Sequence, residues 1–189
     1  MGSSPEEILV RPVTFRDTAA VGMLLQAALS RSPSSKMDVE DISDEAFIAG
    51  SDVVEPAVIS EEVLLIAEIA GDVAGMAHVK RKELVRSRHV GRLELIIHPD
   101  APGLQVGREL LTAALDASGH RGFFKIVLDV SAPDRVLQEI VDARGGWWAE
   151  RVRPGALTWG GEKVDVTTWA HWIREGPGTS AEPPRKPAM

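Results

Sequence analysis

Residues 93–115 read LELIIHPDAPGLQVGRELLTAAL. Arg92 to His98 has the apolar content of a strand, closed by Pro99 and Asp100. A loop with Pro102 and Gly103 follows, and then Val106, Leu110, Leu111, Ala114 and Leu115 recur at helical spacing. A helix that opens this way presents unpaired amides and partial positive charge at its start, which suits an anion such as a pyrophosphate. Gly103 and Gly107 fit two roles. They can let a phosphate approach the backbone, or simply permit a tight turn and close helix packing.

Outward from this unit the elements alternate. Upstream, Ile8 to Val13 is a short strand, and Thr14 with Asp17 can cap a helix carrying Val21, Leu24, Leu25, Ala28 and Leu29. Val63 to Ala70 is a buried strand, turned at Gly71 and Asp72 into a hairpin partner from Val73 to Val79. Downstream, Phe123 to Val130 is a nearly continuous apolar strand, as in a sheet covered on both faces. A helix opens at Pro133 and ends at Gly145-Gly146. Trp147 to Val152 and Val164 to Trp172 form a last antiparallel pair around Gly160 and Gly161. The order predicts one α/β domain over residues 8–174, with a mixed central sheet flanked by helices on both faces. Residues 1–7 form a flexible N-terminus, and residues 175–189 have the composition of a disordered tail.

Composition narrows the function classes. The chain has 189 residues and a formal charge of −7, so it lacks the basic footprint of a nucleic-acid surface. It has no cysteine, which excludes disulfides, thiolate metal sites and a cysteine nucleophile, and fits a cytoplasmic location. No apolar run approaches the roughly 20 residues of a membrane span, and MGSSPEEILV does not read as a secretory signal. His78, His89, His98, His120 and His171 show no metal-site spacing, so no metal is expected.

The stretch from His89 to Ile173 resembles the GNAT acyl-CoA N-acetyltransferase superfamily. The likeness rests on Pro99 after the strand, the loop Pro102-Gly103-Leu104-Gln105-Val106-Gly107, the next strand FFKIVLDV, and Gly161 with Asp165 before the last strand. The hairpin LLIAEIAGDVAGMAHV and the opening VRPVTFRDTAAVGMLLQ extend it over most of residues 8–174. The sequence departs from the family pattern in three places. Pro102 replaces an Arg or Gln, Gln105 stands at the first signature glycine, and Val141 stands where a tyrosine often lies. The chain has no tyrosine at all.

The resemblance implies acetyl-CoA as co-substrate and a primary amine of a small molecule or peptide as acceptor, with transfer by direct attack in a ternary complex. It implies backbone roles for Ile96, Ile97 and His98 along the pantetheine arm. The amides from Leu104 through Gln105, Val106 and Gly107 to Arg108 would take the pyrophosphate after Gly103, with Asp134 at the start of the following helix. The Arg108 side chain either adds charge there or is an ordinary exposed helix residue.

Amide formation needs a base to free the amine. Glu94, between Leu93 and Leu95, is the candidate, since an apolar setting disfavours the charged form of a carboxylate. The alternative is a polar strand face with Glu94 salt-bridged to Arg92 or a neighbouring strand. His98 is a second candidate base or a boundary residue. Without tyrosine, protonation of the leaving thiolate uses water, a serine such as Ser131, or no dedicated acid.

Three further features have weaker readings. The acidic segment Lys36 to Glu62 either favours a cationic acceptor or is a solvated loop. The basic run Lys80 to Arg92 either attracts the CoA 3′-phosphate or is a solvated hairpin. Trp147, Trp148, Trp159, Trp169 and Trp172 are expected in the core or at a subunit contact, which is compatible with a homodimer. The departures at Pro102, Gln105 and Val141 motivate a second reading, a CoA-binding or interaction module with weakened catalysis.

Overall fold

The computed structural model describes residues 7–29, 31–34, 62–81 and 85–173. The acidic segment lies outside these residues except for Glu62, as do most of the N-terminus and the C-terminal tail. The elements are β1 (Ile8–Pro12), a 3₁₀ turn (Phe15–Asp17), α1 (Thr18–Leu29), β2 (Val63–Ile69), β3 (Asp72–Arg81), a 3₁₀ turn (Val85–Ser87), β4 (Val90–Ile97), α2 (Gly103–His120), β5 (Lys125–Ser131), α3 (Arg135–Arg144), β6 (Trp147–Trp159) and β7 (Glu162–Trp172). One seven-stranded sheet runs β1-β2-β3-β4-β5-β7-β6. Only the β4–β5 pairing is parallel, so the sheet is mixed, as the element order predicts.

Strand alternation divides the core. Leu65, Ala77, Val79, Leu93 and Leu95 meet Val106, Leu110, Leu111 and Ala114 of α2 on one face. Ile66, Met76 and Ile96 meet Leu24, Leu25 and Ala28 of α1 on the other. Helix α3 joins the α2 side through Leu137, Ile140 and Val141. None of the described helices is long and apolar enough to cross a membrane.

The capping pair of Thr14 and Asp17 forms, with the Thr14 amide and hydroxyl donating to Asp17 Oδ2 at 2.7 and 2.8 Å. Arg11 clamps both Asp17 oxygens at 2.8 Å and reaches Glu68 at 2.6 Å. The Arg11 bonds hold the Asp17 carboxyl below the ordinary carboxylate range, against burial and together with Thr14. Burial pushes the His171 imidazole down, opposed by its bond to the Gly146 carbonyl and aided by the Arg144 charge.

Several boundaries differ from the sequence reading. The β2–β3 turn is Ala70-Gly71, both at positive φ (52° and 92°), and Asp72 already belongs to the strand. Helix α3 starts after Asp134, whose Oδ1 accepts the Leu137 amide at 3.1 Å, so Pro133 lies ahead of the cap. Strand β6 runs on to Trp159 through Pro154. It is an edge strand, where a missing N–H is tolerated, and its register shifts between Arg153 and Leu157.

Candidate active site

Strands β4 and β5 pair only from Val90 to Leu93, against Lys125 to Leu128. Beyond Leu93, β4 stays with β3 as far as Ile97, and β5 stays with β7 as far as Ser131. The loop after α1 stabilises the parting, because the Ser131 amide donates to Ser34 Oγ at 3.0 Å. A serine side chain thus satisfies a β5 donor that a neighbouring strand would otherwise take.

Which backbone groups of β4 face the gap follows from the alternation of a strand. The His98 amide donates to the Ala74 carbonyl of the β3 side at 2.8 Å. Ile96, two residues earlier, has the same orientation. Leu95 and Ile97 therefore present their N–H and C=O groups to the gap. Of the three residues implicated by resemblance, only Ile97 offers its main chain there, and Leu95 joins it.

A cleft of about 400 Å³ opens beside this edge, lined among others by Ile97, His98, Gly103, Asp134 and two arginines, Arg31 and Arg135. Helix α2 points its first turn at it. The Gln105 and Val106 amides both donate to the Pro102 carbonyl, at 3.0 and 3.1 Å. The amides of Gly103 and Leu104 have no acceptor within the helix, and no side chain caps this end. Gln105 is exposed and does not line the cleft. A Cβ on Gly107 would lie 2.2 Å from Ile140 Cδ1, so this glycine serves the packing of α2 on α3. Arg108 is half exposed and faces Glu139 at 3.8 Å. Asp134 is buried as the α3 cap while also lining the cleft.

The cleft shares Ser32, Leu95 and Leu137 with a smaller cavity of about 40 Å³, which is also lined by Arg92, Glu94 and Asp129. Leu93 and Leu95 point to the α2 face, so Glu94 is exposed and the apolar setting expected for it is not present. Nor is it bridged to Arg92. Arg92 donates to Asp129 Oδ2 at 2.9 Å, and Glu94 has no ion pair among the described residues. Arg153 donates to the same oxygen at 2.9 Å, and Thr168 Oγ1 donates to Oδ1 at 2.6 Å. Across from Glu94 on β3, His78 Nε2 lies 2.6 Å from Glu62 Oε2. Val141 is buried in the core, and the Ser131 hydroxyl lies 3.3 Å from that of Ser34. His98 stands at the cleft, its Nδ1 accepting from the Asp100 amide at 3.3 Å.

The basic run splits. Its hairpin lies at the Val90 end of β4, away from the Pro102 loop, and Arg81 covers Phe123 at 4.1 Å. Among the described residues of the run, Arg81, Arg86 and Arg88 thus lie away from the start of α2, and Lys82 lies outside the described residues. Sequence reasoning missed Arg31, Ser34, Asp129, Arg135 and Arg153 as site residues, and placed Arg92 in the solvated run. Each is an ordinary polar residue, and Arg31, Ser34, Asp129 and Arg153 have partners remote in sequence. Among the described residues, no group of three His, Cys, Asp or Glu side chains could hold a metal ion.

The fold is similar to that of known proteins. An acetyltransferase of the GNAT family from Streptococcus pneumoniae superposes with a TM-score of 0.76 at 20% identity, covering 89% of this chain and 100% of that one. A phosphinothricin acetyltransferase from Sinorhizobium meliloti in complex with acetyl-CoA gives 0.77 at 15% identity, covering 94% of each. A ribosomal-protein-alanine N-acetyltransferase from Brucella melitensis gives 0.71 at 18% identity, covering 87% and 99%. No curated protein matches the sequence. Residues 28–140 match the Acetyltransferase (GNAT) family. The chain belongs to that family.

Proposed function

We propose that the chain transfers an acetyl group from acetyl-CoA to a primary amine of a small molecule or peptide, by direct attack in a ternary complex. The observation that carries this reading is adjacency: the cleft at the uncapped start of α2 and the open edge of β4 shares Ser32, Leu95 and Leu137 with the smaller cavity lined by Glu94. The residues fit the co-substrate along that path. The amides of Gly103 and Leu104 would hold the diphosphate, with Arg31 and Arg135 adding charge. The backbone of Leu95 and Ile97 would pair with the amide-bearing arm as with another strand. Bound there, acetyl-CoA supplies an activated acyl thioester.

Glu94 takes the proton from the attacking amine, directly or through one water. Water returns a proton to the leaving thiolate, because the Ser131 hydroxyl is buried beside Ser34 and lines neither cavity. Without cysteine, no thiol-linked acyl-enzyme can form.

Calorimetric titration with acetyl-CoA, followed by CoA release measured across a panel of amines, tests the proposal. At a hundredfold excess over Kd, binding stabilises the fold by about 2.7 kcal/mol. A titration without heat for any CoA thioester would overturn it. Binding without turnover favours the second reading, a CoA-binding module, for which the buried Val141 in place of a tyrosine is the specific observation.

A further inference from the structure

We infer that the acceptor is a small zwitterion, a primary amine that also carries a carboxylate, with its amine at Glu94 and its carboxylate at Arg92 and Arg153. This rests on the acetyltransferase reading and names the substrate class it would use.

The charges on the α1 face of the sheet are the ground for it. Asp129 is one carboxylate against two guanidiniums, and both contact the same oxygen at 2.9 Å. Thr168 occupies the other oxygen at 2.6 Å. The Asp129 side chain is only 9% exposed, whereas Arg92 and Arg153 are 42% and 33% exposed. The cluster therefore carries a surplus positive charge and presents it outward. Each guanidinium has five N–H donors in a planar fork suited to a carboxylate, and each gives one of them to Asp129. Arg153 Nε is buried and has no partner among the described residues. An unmet buried donor is costly unless a ligand or water meets it.

Glu94 supplies the opposite pole. It is exposed, unpaired among the described residues, and two positions from Arg92 on the same face. Two residues along a strand span about 6.7 Å. The two charges stay apart because Arg92 turns to Asp129, so the face keeps a negative and a positive group at a separation that a compact amino acid can bridge. Both line the small cavity at the inner end of the cleft. A plain polyamine would leave the remaining N–H donors of Arg92 and Arg153 without an acceptor. The Arg11 cluster at the far edge of the sheet has the reverse ratio, one guanidinium between two carboxylates, and lines neither cavity.

The test uses the full-length protein, acetyl-CoA and three matched probe sets: L-amino acids, their carboxamides, and the corresponding amines without the carboxyl group. Free acids are expected to exceed the other two in kcat/KM by about 10- to 100-fold, chiefly through KM. In Arg92→Gln and Arg153→Gln the acid-to-amide ratio should fall toward one, and Arg153→Lys should restore part of it. Thermal melts establish that each variant is folded. Equal use of acids and amides by the wild type, or a ratio unchanged in both glutamine variants, overturns the inference.

Calorimetric titration of the CoA-saturated protein with the acid and amide sets gives the same comparison without turnover. Tighter binding of acids there supports the inference, and equal binding refutes it. If acetyl-CoA binds and amines without a carboxylate are acetylated as well as acids, only the substrate class fails. If acetyl-CoA does not bind, the acetyltransferase reading fails.

Discussion

The two halves of β4 differ in their neighbours. From Gly91 to Leu93 the strand is bonded on both sides, to β3 and to β5. From Glu94 to Ile97 it is bonded to β3 alone. In the first half the packing leaves no room: a Cβ on Gly91 would lie 2.6 Å from Val79 Cγ1, 2.7 Å from Ile126 Cδ1 and 3.1 Å from Phe123 Cδ1. In the second half a main-chain edge and a carboxylate are left facing a cleft. Half the strand holds the sheet together, and the other half gives up strand pairing to make a binding edge. Substitutions should therefore separate cleanly, with stability responding in the first half and chemistry in the second.

The largest effect is expected at Glu94. Glu94→Gln should lower kcat by about 10²- to 10⁴-fold. Its melting temperature should move by no more than about 2 °C, because the residue is exposed and unpaired among the described residues. Steady-state kinetics and a thermal melt check both statements together. Unchanged turnover would remove Glu94 from the mechanism, and a large loss of stability would break the contrast between the halves.

The next effect needs no mutation. Native-state hydrogen exchange should find the amides of Leu95 and Ile97 faster than those of Gly91 and Leu93, which face β5 where the strands still pair. Saturating acetyl-CoA should slow Leu95 and Ile97 by about 100-fold when the ligand is a hundred times its Kd. Equal protection of all four amides before ligand is added would show that the gap is closed in solution.

The third test works from the other half. Gly91→Val forces side-chain atoms against three core neighbours, and overpacking of this kind costs about 1–3 kcal/mol. The upper end, about 3 kcal/mol, corresponds to roughly 6–12 °C in a domain of this size. Acetyl-CoA affinity measured well below the melt should stay near that of the wild type. A variant that keeps its stability and loses affinity would reverse the assignment of the two halves.

Much of this architecture was legible because it is local. The strand–loop–helix of residues 93–115, the β2–β3 hairpin and the closing pair each carry their period and their turn in one stretch. The parting of β4 from β5 was not legible. The apolar run continues through Ile96 and Ile97, and no local signal records which strand lies alongside. The parting depends on Ser34, an unremarkable serine, reaching Ser131 across 97 positions. Glu94 was found as a candidate, yet its surroundings were misjudged, since neighbours in sequence lie on opposite faces of a strand. Arg92 was absorbed into a basic run because a charge count carries no information about faces, and its partner Asp129 is 37 positions away. The two glycines differ in place. Gly103 lines the cleft, and Gly107 serves helix packing, a distinction set by Ile140 rather than by either glycine.

The smallest effect should come from outside β4 altogether, and it guards the first prediction against a trivial explanation. Asp17 is held below the ordinary carboxylate range by Arg11, so its folded pKa lies under its unfolded value. A carboxylate of this kind contributes stability that is fully present above the unfolded pKa, about 4, and is lost as pH falls toward the folded value. The contribution of this group to the melting temperature should therefore be constant between pH 8 and pH 5 and fall below about pH 4. Asp17→Asn should lower the melt by about 2–4 °C at neutral pH, because Arg11 keeps Glu68 as a partner. The same variant should show a shallower decline in acid. Activity in the wild type should decline at a higher pH than the melt does, because protonation of the acceptor amine removes the nucleophile while the sheet edge at Arg11 stays paired. Coincident loss of activity and of the melt would mean that acid acts through unfolding, and the pH profile would then say nothing about the open half of β4.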